Sequence, residues 1–161
     1  MVDIELTQKD IEIISSYIKK IPDRGTYLEI GVKFGGSASL ARGVNPDINV
    51  YGVDPDSERL SFYDFNFINL TSLEAIKDWK RDIDVLFIDG DHNMAMEDFT
   101  AWKKFIAPEG YVIFHDYSSH SPEVIRDCDE IEKYDGWKLI VKPAGIYQEP
   151  SSLFIIQQCP K

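Results

Sequence analysis

Five short apolar runs, TYLEIG, NVYGVDP, FINL, DVLFIDG and YVIFHD, recur along the chain, and polar residues or glycine follow each of them. Runs this continuously apolar suit strands buried on both faces, and strands that alternate with helices imply a parallel sheet covered on each side. The intervening segments carry helical signals. Residues 7 to 20 start with Thr7 as a cap and place Ile11, Ile14, Tyr17 and Ile18 at helical spacing. A second helix follows the Gly35–Gly36 turn to about residue 43, a short helix or turn is expected at 57 to 64, and SLEAIKDWK reads as a further helix. MAMEDFTAWKKFI is helical, with Met94, Phe99, Trp102, Phe105 and Ile106 apolar, PEG makes a turn, and PEVIRDCDEIEKY is a helix opened by Pro122. WKLIVKP and SLFIIQQ are expected to close the sheet as a hairpin. The expected fold is α/β: a mostly parallel seven-stranded sheet with helices on both faces and an antiparallel C-terminal hairpin.

At 161 residues and 43% hydrophobic content, the chain can bury one real core, and no repeat or Pro/Gly/Ser linker divides it. One domain over 1–161 is expected, with an N-terminal helix (1–22), a core that binds ligand and carries the chemistry (23–118), and a C-terminal helix and hairpin (119–161). No apolar run is long enough for a membrane span, and the first twenty residues alternate charge with isoleucine rather than forming a signal peptide. Cys128 and Cys159 lack metal-ligand spacing, which fits free thiols in a reducing cytoplasm. A net charge of −11, from 17 basic and 28 acidic residues, disfavours a surface built to neutralise phosphates, so no nucleic-acid partner is expected.

In such a sheet, ligands bind beyond the carboxyl ends of the strands where strand order reverses. The chemistry-bearing residues fall there: Glu29 and Gly31, Asp54, Thr71 and Ser72, Asp89 with Asp91, and His115 with Asp116. In LEIGVKFGGS the glycines at 31, 35 and 36 let the backbone turn sharply, and Ser37 opens the helix; their spacing departs from the dinucleotide pattern G-x-G-x-x-G. The acid two residues before Gly31 favours a ligand bearing a cation, such as a sulfonium with an amino group, against an ordinary strand-to-helix turn. Asp54 can accept two hydrogen bonds from ribose hydroxyls or serve as the acid of a turn. Thr71 and Ser72 hold the matching place beside an adenine edge, and equally cap the helix that follows. In VLFIDGDHNMAMEDF the acids Asp89 and Asp91 and His92 directly follow a buried strand, a costly crowd of like charge unless a metal, a cationic ligand or a transferred proton uses it.

Taken in order and spacing, LEIGVKFGGSAS, YGVDP, VLFIDGDH and GYVIFHDY resemble the class I S-adenosylmethionine-dependent methyltransferases. More narrowly they resemble the branch of catechol-type and macrolide or aminocoumarin sugar O-methyltransferases, many of which need a divalent metal. The resemblance covers about residues 25 to 118. It implies a Rossmann-like methyltransferase fold with S-adenosylmethionine as cofactor, held by Glu29, Gly31, Gly35, Ser37, Asp54, Thr71, Ser72 and Asp89. It also implies a divalent metal, Mg²⁺ or Mn²⁺, on Asp89, His115 and Asp116. His115 departs from the family pattern, since the relatives place an oxygen ligand there and imidazole suits transition ions better than Mg²⁺. His92 stands where the catechol branch has a lysine and is the first choice of general base, Asp91 the second; the alternative for His92 is a helix-start residue that ties down its loop.

The function so implied is transfer of a methyl group to a hydroxyl oxygen of a small-molecule or sugar-containing acceptor, assisted by the metal. Two alternatives stand beside it: a metal-independent methyltransferase with a histidine base, and a catalytically silent methyltransferase-like binding subunit. Segments that could cover the methyl donor are short. A homodimer is therefore expected to close the site through the N-terminal helix or the Tyr147 to Phe154 hairpin, against a monomer that takes a bulky acceptor such as a glycan. Plainer expectations apply elsewhere: FYDFNF (62–67) as packing, Trp79, Trp102 and Trp137 as core, the acids of RDCDEIEKYD as a solvated helix face, and His120 as solvated.

Overall fold

The computed structural model describes residues 6–56, 64–146 and 150–160. Its helices are α1 (Gln8–Ile18), α2 (Gly36–Val44), α3 (Ser72–Ala75), α4 (Ala95–Trp102) and α5 (Pro122–Ile131). Its strands are β1 (Thr26–Ile30), β2 (Asn49–Val53), β3 (Asn66–Ile68), β4 (Ile83–Ile88), β5 (Ile106–Phe114), β6 (Trp137–Val141) and β7 (Phe154–Gln158). The seven strands form one sheet in the order β3-β2-β1-β4-β5-β7-β6. β3 through β5 run parallel, while β7 is antiparallel to β5 on one side and to β6 on the other. The fold is thus the Rossmann-like arrangement expected, with the C-terminal hairpin as its antiparallel edge.

Both faces of the sheet are covered, which is why β1 is buried at all five positions and β4 at five of six. On one face α1 and α2 bring Ile14, Ile18, Ala38 and Ala41 against Tyr27, Phe87 and Ile113. On the other, Trp79, Phe99 and Trp102 pack with Phe114, Val124 and Ile131. Trp79 and Trp102 meet edge to face at 5.5 Å, and the half-buried Trp137 meets Phe99 at 5.1 Å. Thr7 caps α1 through a reciprocal box with Asp10.

Four local expectations are corrected. Helix α3 stops at Ala75 instead of running to 80, because the chain turns so that the Trp79 ring enters the core, where its Nε1 donates to the Arg81 carbonyl at 2.7 Å. The PEG segment lies inside β5 as a bulge, with Glu109 at φ 62° and a register shift opposite Ile83–Val85, rather than forming a turn between elements. The third strand starts at Asn66 and ends before Asn69 and Leu70. The acids of α5 are only partly solvated: Asp127 is buried and accepts from the Met96 N–H at 3.3 Å, and Asp129 accepts from the Tyr117 hydroxyl at 2.8 Å. The helix or turn expected at 57 to 64 falls almost wholly outside the described residues, as do Phe62 and Tyr63 of the aromatic run; Phe65 packs beside the α1–α2 core. No helix among the described residues is long and apolar enough to cross a membrane. Cys128 is buried and Cys159 half-buried, and both are free.

Candidate active site

Strand order reverses between β1 and β4, and the loops beyond their carboxyl ends carry the site. Gly31 follows β1 at φ +86°, and a Cβ built on it would lie 2.3 Å from the carbonyl oxygen of Asp89. Only glycine permits so close a crossing of the two strand ends. Lys33 is also left-handed, at φ 46°. Asp54, at the end of β2, holds this loop: its Oδ2 accepts from the Val32 N–H at 2.8 Å and the Lys33 N–H at 3.0 Å, and its Oδ1 from the Asp56 N–H at 2.8 Å. Glu29 is fully buried beneath the loop and takes hydrogen bonds from the Ser37 hydroxyl at 2.6 Å and the Tyr27 hydroxyl at 3.0 Å. Burial pushes its carboxyl up to about 8, against the opposing effect of the Ser37 hydrogen bond.

Two cavities open on this rim and share Gly31, Lys33, Asp89 and Gly90 as a common wall. The larger, about 730 Å³, runs past Val53, Asp54, Thr71, Ser72, Met94 and Asp98. The smaller, about 340 Å³, is bounded by Ser37, His92 and Asp116. Both lie in the size range of small-molecule sites.

At the end of β4 and β5 the acids converge on histidine. His115 Nδ1 lies 3.0 Å from Asp89 Oδ1 and 3.3 Å from Asp116 Oδ2, and its Nε2 faces the buried Asp10 at 3.9 Å. Burial alone would lower the His115 pKa, but hydrogen bonds and charge from Asp116 and Asp89 outweigh it and raise it to about 10. Asp89 is itself raised by burial, less so for its bond to His115. Asp116, at φ 58°, is held low by His115 and His92 in spite of its burial. Ligand atoms of Asp89, His115 and Asp116 all lie within 4.8 Å of one another, close enough to share one metal ion. His92 Nε2 is 3.0 Å from Asp116 Oδ2, and Nδ1 is 3.4 Å from Glu123 Oε1 on α5. Asp91 caps the turn at His92–Met94, and hydrogen bonds from the Asn93 backbone and side chain hold its carboxyl below the usual range.

Of the residues singled out in the sequence, Gly31, Ser37, Asp54, Thr71, Ser72, Asp89, Asp91, His92 and Asp116 line the cavities. Glu29 stands behind the wall and Gly35 at the N-cap of α2, so both shape the site from beneath. Thr71 and Ser72 also do the work of a helix start: Thr71 forms a capping box with Glu74, and the Ser72 hydroxyl accepts from Trp102 Nε1 at 2.7 Å. His120 is exposed. Sequence reasoning missed three acids, Asp10, Asp98 and Glu123. For the first two a signal was present. Asp10 extends the buried stripe Ile14, Tyr17 and Ile18 of α1, and Asp98 occupies the same face as Ala95, Phe99 and Trp102. An acid on the apolar face of a helix is the pattern to look for.

A model of a methyltransferase domain matches residues 28–117. The uncharacterized protein R132 of Acanthamoeba polyphaga mimivirus is 33% identical over 66% of this chain, and the chain spans only 58% of that curated relative's length. Among solved structures, an O-methyltransferase from Bacillus cereus in complex with SAH superposes with a TM-score of 0.70 at 17% identity, covering 98% of this chain and 83% of that one. The SAH-bound methyltransferase PaMTH1 of Podospora anserina gives 0.74 at 11% identity, covering 96% and 78%.

Proposed function

Because the chain belongs to the class I S-adenosylmethionine-dependent methyltransferases, we propose that it transfers the cofactor's methyl group to a hydroxyl oxygen of a small-molecule or sugar-containing acceptor. The observation that carries this reading is the pair of cavities meeting at Gly31 and Asp89, one walled by Asp54 and Ser72, the other by His92 and Asp116. The larger takes the nucleoside of the cofactor, its amino-acid end passes Gly31 toward Ser37, and the acceptor enters the smaller beside His92 and Asp116. Asp54 receives a ribose hydroxyl on the Oδ1 lone pair its loop bonds leave over, Ser72 and Thr71 flank the base, and Glu29, through Ser37, supports the amino-acid end.

The hydroxyl oxygen attacks the methyl carbon as the carbon–sulfur bond breaks, so the sulfonium becomes the neutral thioether of S-adenosylhomocysteine and the hydroxyl proton must leave. His92 is taken as the base: it lines the acceptor cavity, with Nε2 3.0 Å from Asp116 and Nδ1 3.4 Å from Glu123. Asp91 is a poor base, since its hydrogen bonds favour the charged form. With no ion bound, Asp116 and Asp89 favour the proton on His115, so it is not the base there, and a bound ion would take that proton's place. The donor set of two carboxylates and an imidazole around one point fits a small divalent cation, Mn²⁺ or Mg²⁺, which Asp89, Asp116 and His115 would hold. Bound there, such an ion lowers the pKa of an acceptor hydroxyl.

The test is turnover with a panel of hydroxylated acceptors, free and glycosylated, read as S-adenosylhomocysteine released. Cofactor binding with no release above background on any acceptor would make the chain a silent binding subunit. Chelation is expected to abolish transfer, and Asp89→Asn or Asp116→Asn to do the same with cofactor affinity kept within a few-fold. Full activity in chelator would select the metal-independent histidine mechanism.

A further inference from the structure

Asp10 is a buried acid that the reaction above does not use. It belongs to the inward stripe of α1 with Ile14, Tyr17 and Ile18, and is shut off from solvent at 0% exposed. The Thr7 N–H donates to its Oδ2 at 3.0 Å and the Thr7 hydroxyl lies 2.7 Å from the same atom, while Oδ1 has no hydrogen-bond partner. Capping a helix does not call for such burial. The same box at the start of α3, between Thr71 and Glu74, is exposed. A carboxylate on an apolar stripe is costly unless something beside it answers the charge. That neighbour is His115, whose Nε2 lies 3.9 Å from Asp10 Oδ2. The other edge of the ring is turned to the rim, with Nδ1 3.0 Å from Asp89 Oδ1 and 3.3 Å from Asp116 Oδ2, and Phe87 meets the ring edge to face at 6.1 Å. The imidazole therefore has a direction: Nδ1 toward the rim, and Nε2 toward a buried negative charge that an N–H answers and a lone pair would not.

We infer that Asp10 is the positioning residue of His115, holding its Nε2–H edge inward so that Nδ1 is presented, beside Asp89 and Asp116, to a first-row transition ion such as Mn²⁺ in preference to Mg²⁺. The inference rests on the metal reading made above and names what selects the ion. An acceptor behind an imidazole fixes which nitrogen carries hydrogen and makes the other a better donor to a metal. Mg²⁺ keeps several of its waters and leans on one or two carboxylates, so it gains little from a well-aimed imidazole, whereas a transition ion gains more.

Calorimetry on the full chain, stripped of metal by chelation and dialysis and titrated separately with MnCl₂ and MgCl₂, decides it. The wild type is expected to bind Mn²⁺ about tenfold more tightly or better. Asp10→Asn keeps the shape of the side chain and an acceptor for Thr7 but removes the charge behind Nε2. It should weaken Mn²⁺ by about ten- to hundredfold and Mg²⁺ distinctly less, so that the preference narrows. Asp10→Ser, read in parallel, should narrow it too and serves if the first variant does not fold. Equal losses for the two ions would make Asp10 a background charge and overturn its positioning role, as would unchanged Mn²⁺ affinity in a folded variant. A wild type that binds both ions equally overturns the inference and leaves the metal reading standing. A wild type that binds neither ion overturns the metal reading and this inference together.

Discussion

Glu29 is shut off from solvent, bonded to two hydroxyls and subject to the more distant charges of Asp89 and Asp54. The folded protein therefore keeps its proton up to about pH 8, whereas the unfolded chain releases it near 4.5. Between those values the folded state binds more protons, so stability is fullest at the acid end of that window and is lost as pH rises through 8. His115, raised to about 10, acts in the same direction at higher pH. Thermal unfolding without ligand should accordingly fall from pH 6 to pH 9 in the wild type. In Glu29→Gln the fall should be shallower, with a gain on the order of a few kcal/mol at pH 9; an identical pH slope in the two proteins would refute the assignment. Asp54 is a different case, an acid whose charge is used on both oxygens. Asp54→Ala removes its grip on the Val32 and Lys33 amides as well as a ribose acceptor. Calorimetry should find S-adenosylhomocysteine weaker by roughly 1.5 to 3 kcal/mol, and unchanged affinity would move the ribose contact elsewhere.

At the scale of elements, the site depends on two backbone crossings more than on side chains. The β1–α2 loop passes the end of β4 at Gly31, where a Cβ would overlap the Asp89 carbonyl and φ is +86°. Gly31→Ala should therefore displace the loop and the Asp89 end of β4 together, abolishing cofactor binding and lowering the unfolding temperature. Near-normal affinity in that variant would show that the loop tolerates the shift. Helix α1 enters the site through Asp10, which is fully buried within 3.9 Å of His115 and shares a capping box with Thr7. Thr7→Ala removes a donor from that carboxylate and should cost about 1 kcal/mol in denaturant unfolding.

For the whole molecule, the apolar stripe of α1 faces inward, so a dimer contact through this helix would use its outer, polar face. α1 buries Ile14, Tyr17 and Ile18 against the sheet, and Leu153 and Phe154 are fully buried where β7 sits between β5 and β6. Tyr147 falls outside the described residues. Light scattering at micromolar protein, with and without cofactor, checks this: a dimer mass is the expected outcome, and a monomer in both conditions points to a bulky acceptor that covers the methyl group itself.

The alternation of apolar strands and helices, the reversal-point rim and most residues on it were legible in the sequence, because periodicity and glycine placement are local properties that tertiary packing preserved. What the linear pattern left open is where each acid spends its charge. Glu29 and Asp54 lie 25 residues apart and both end strands, yet one is buried as a proton-holding carboxyl and the other ties down a loop. Asp10, Asp98 and Glu123 reach the rim only because α1, α4 and α5 pack against the sheet at particular angles. The burial of Trp79 and Trp102 decided where α3 ended. Desolvation, hydrogen-bond partners and approach distance are properties of neighbours in space, and those neighbours come from distant segments, 105 residues apart for Asp10 and His115.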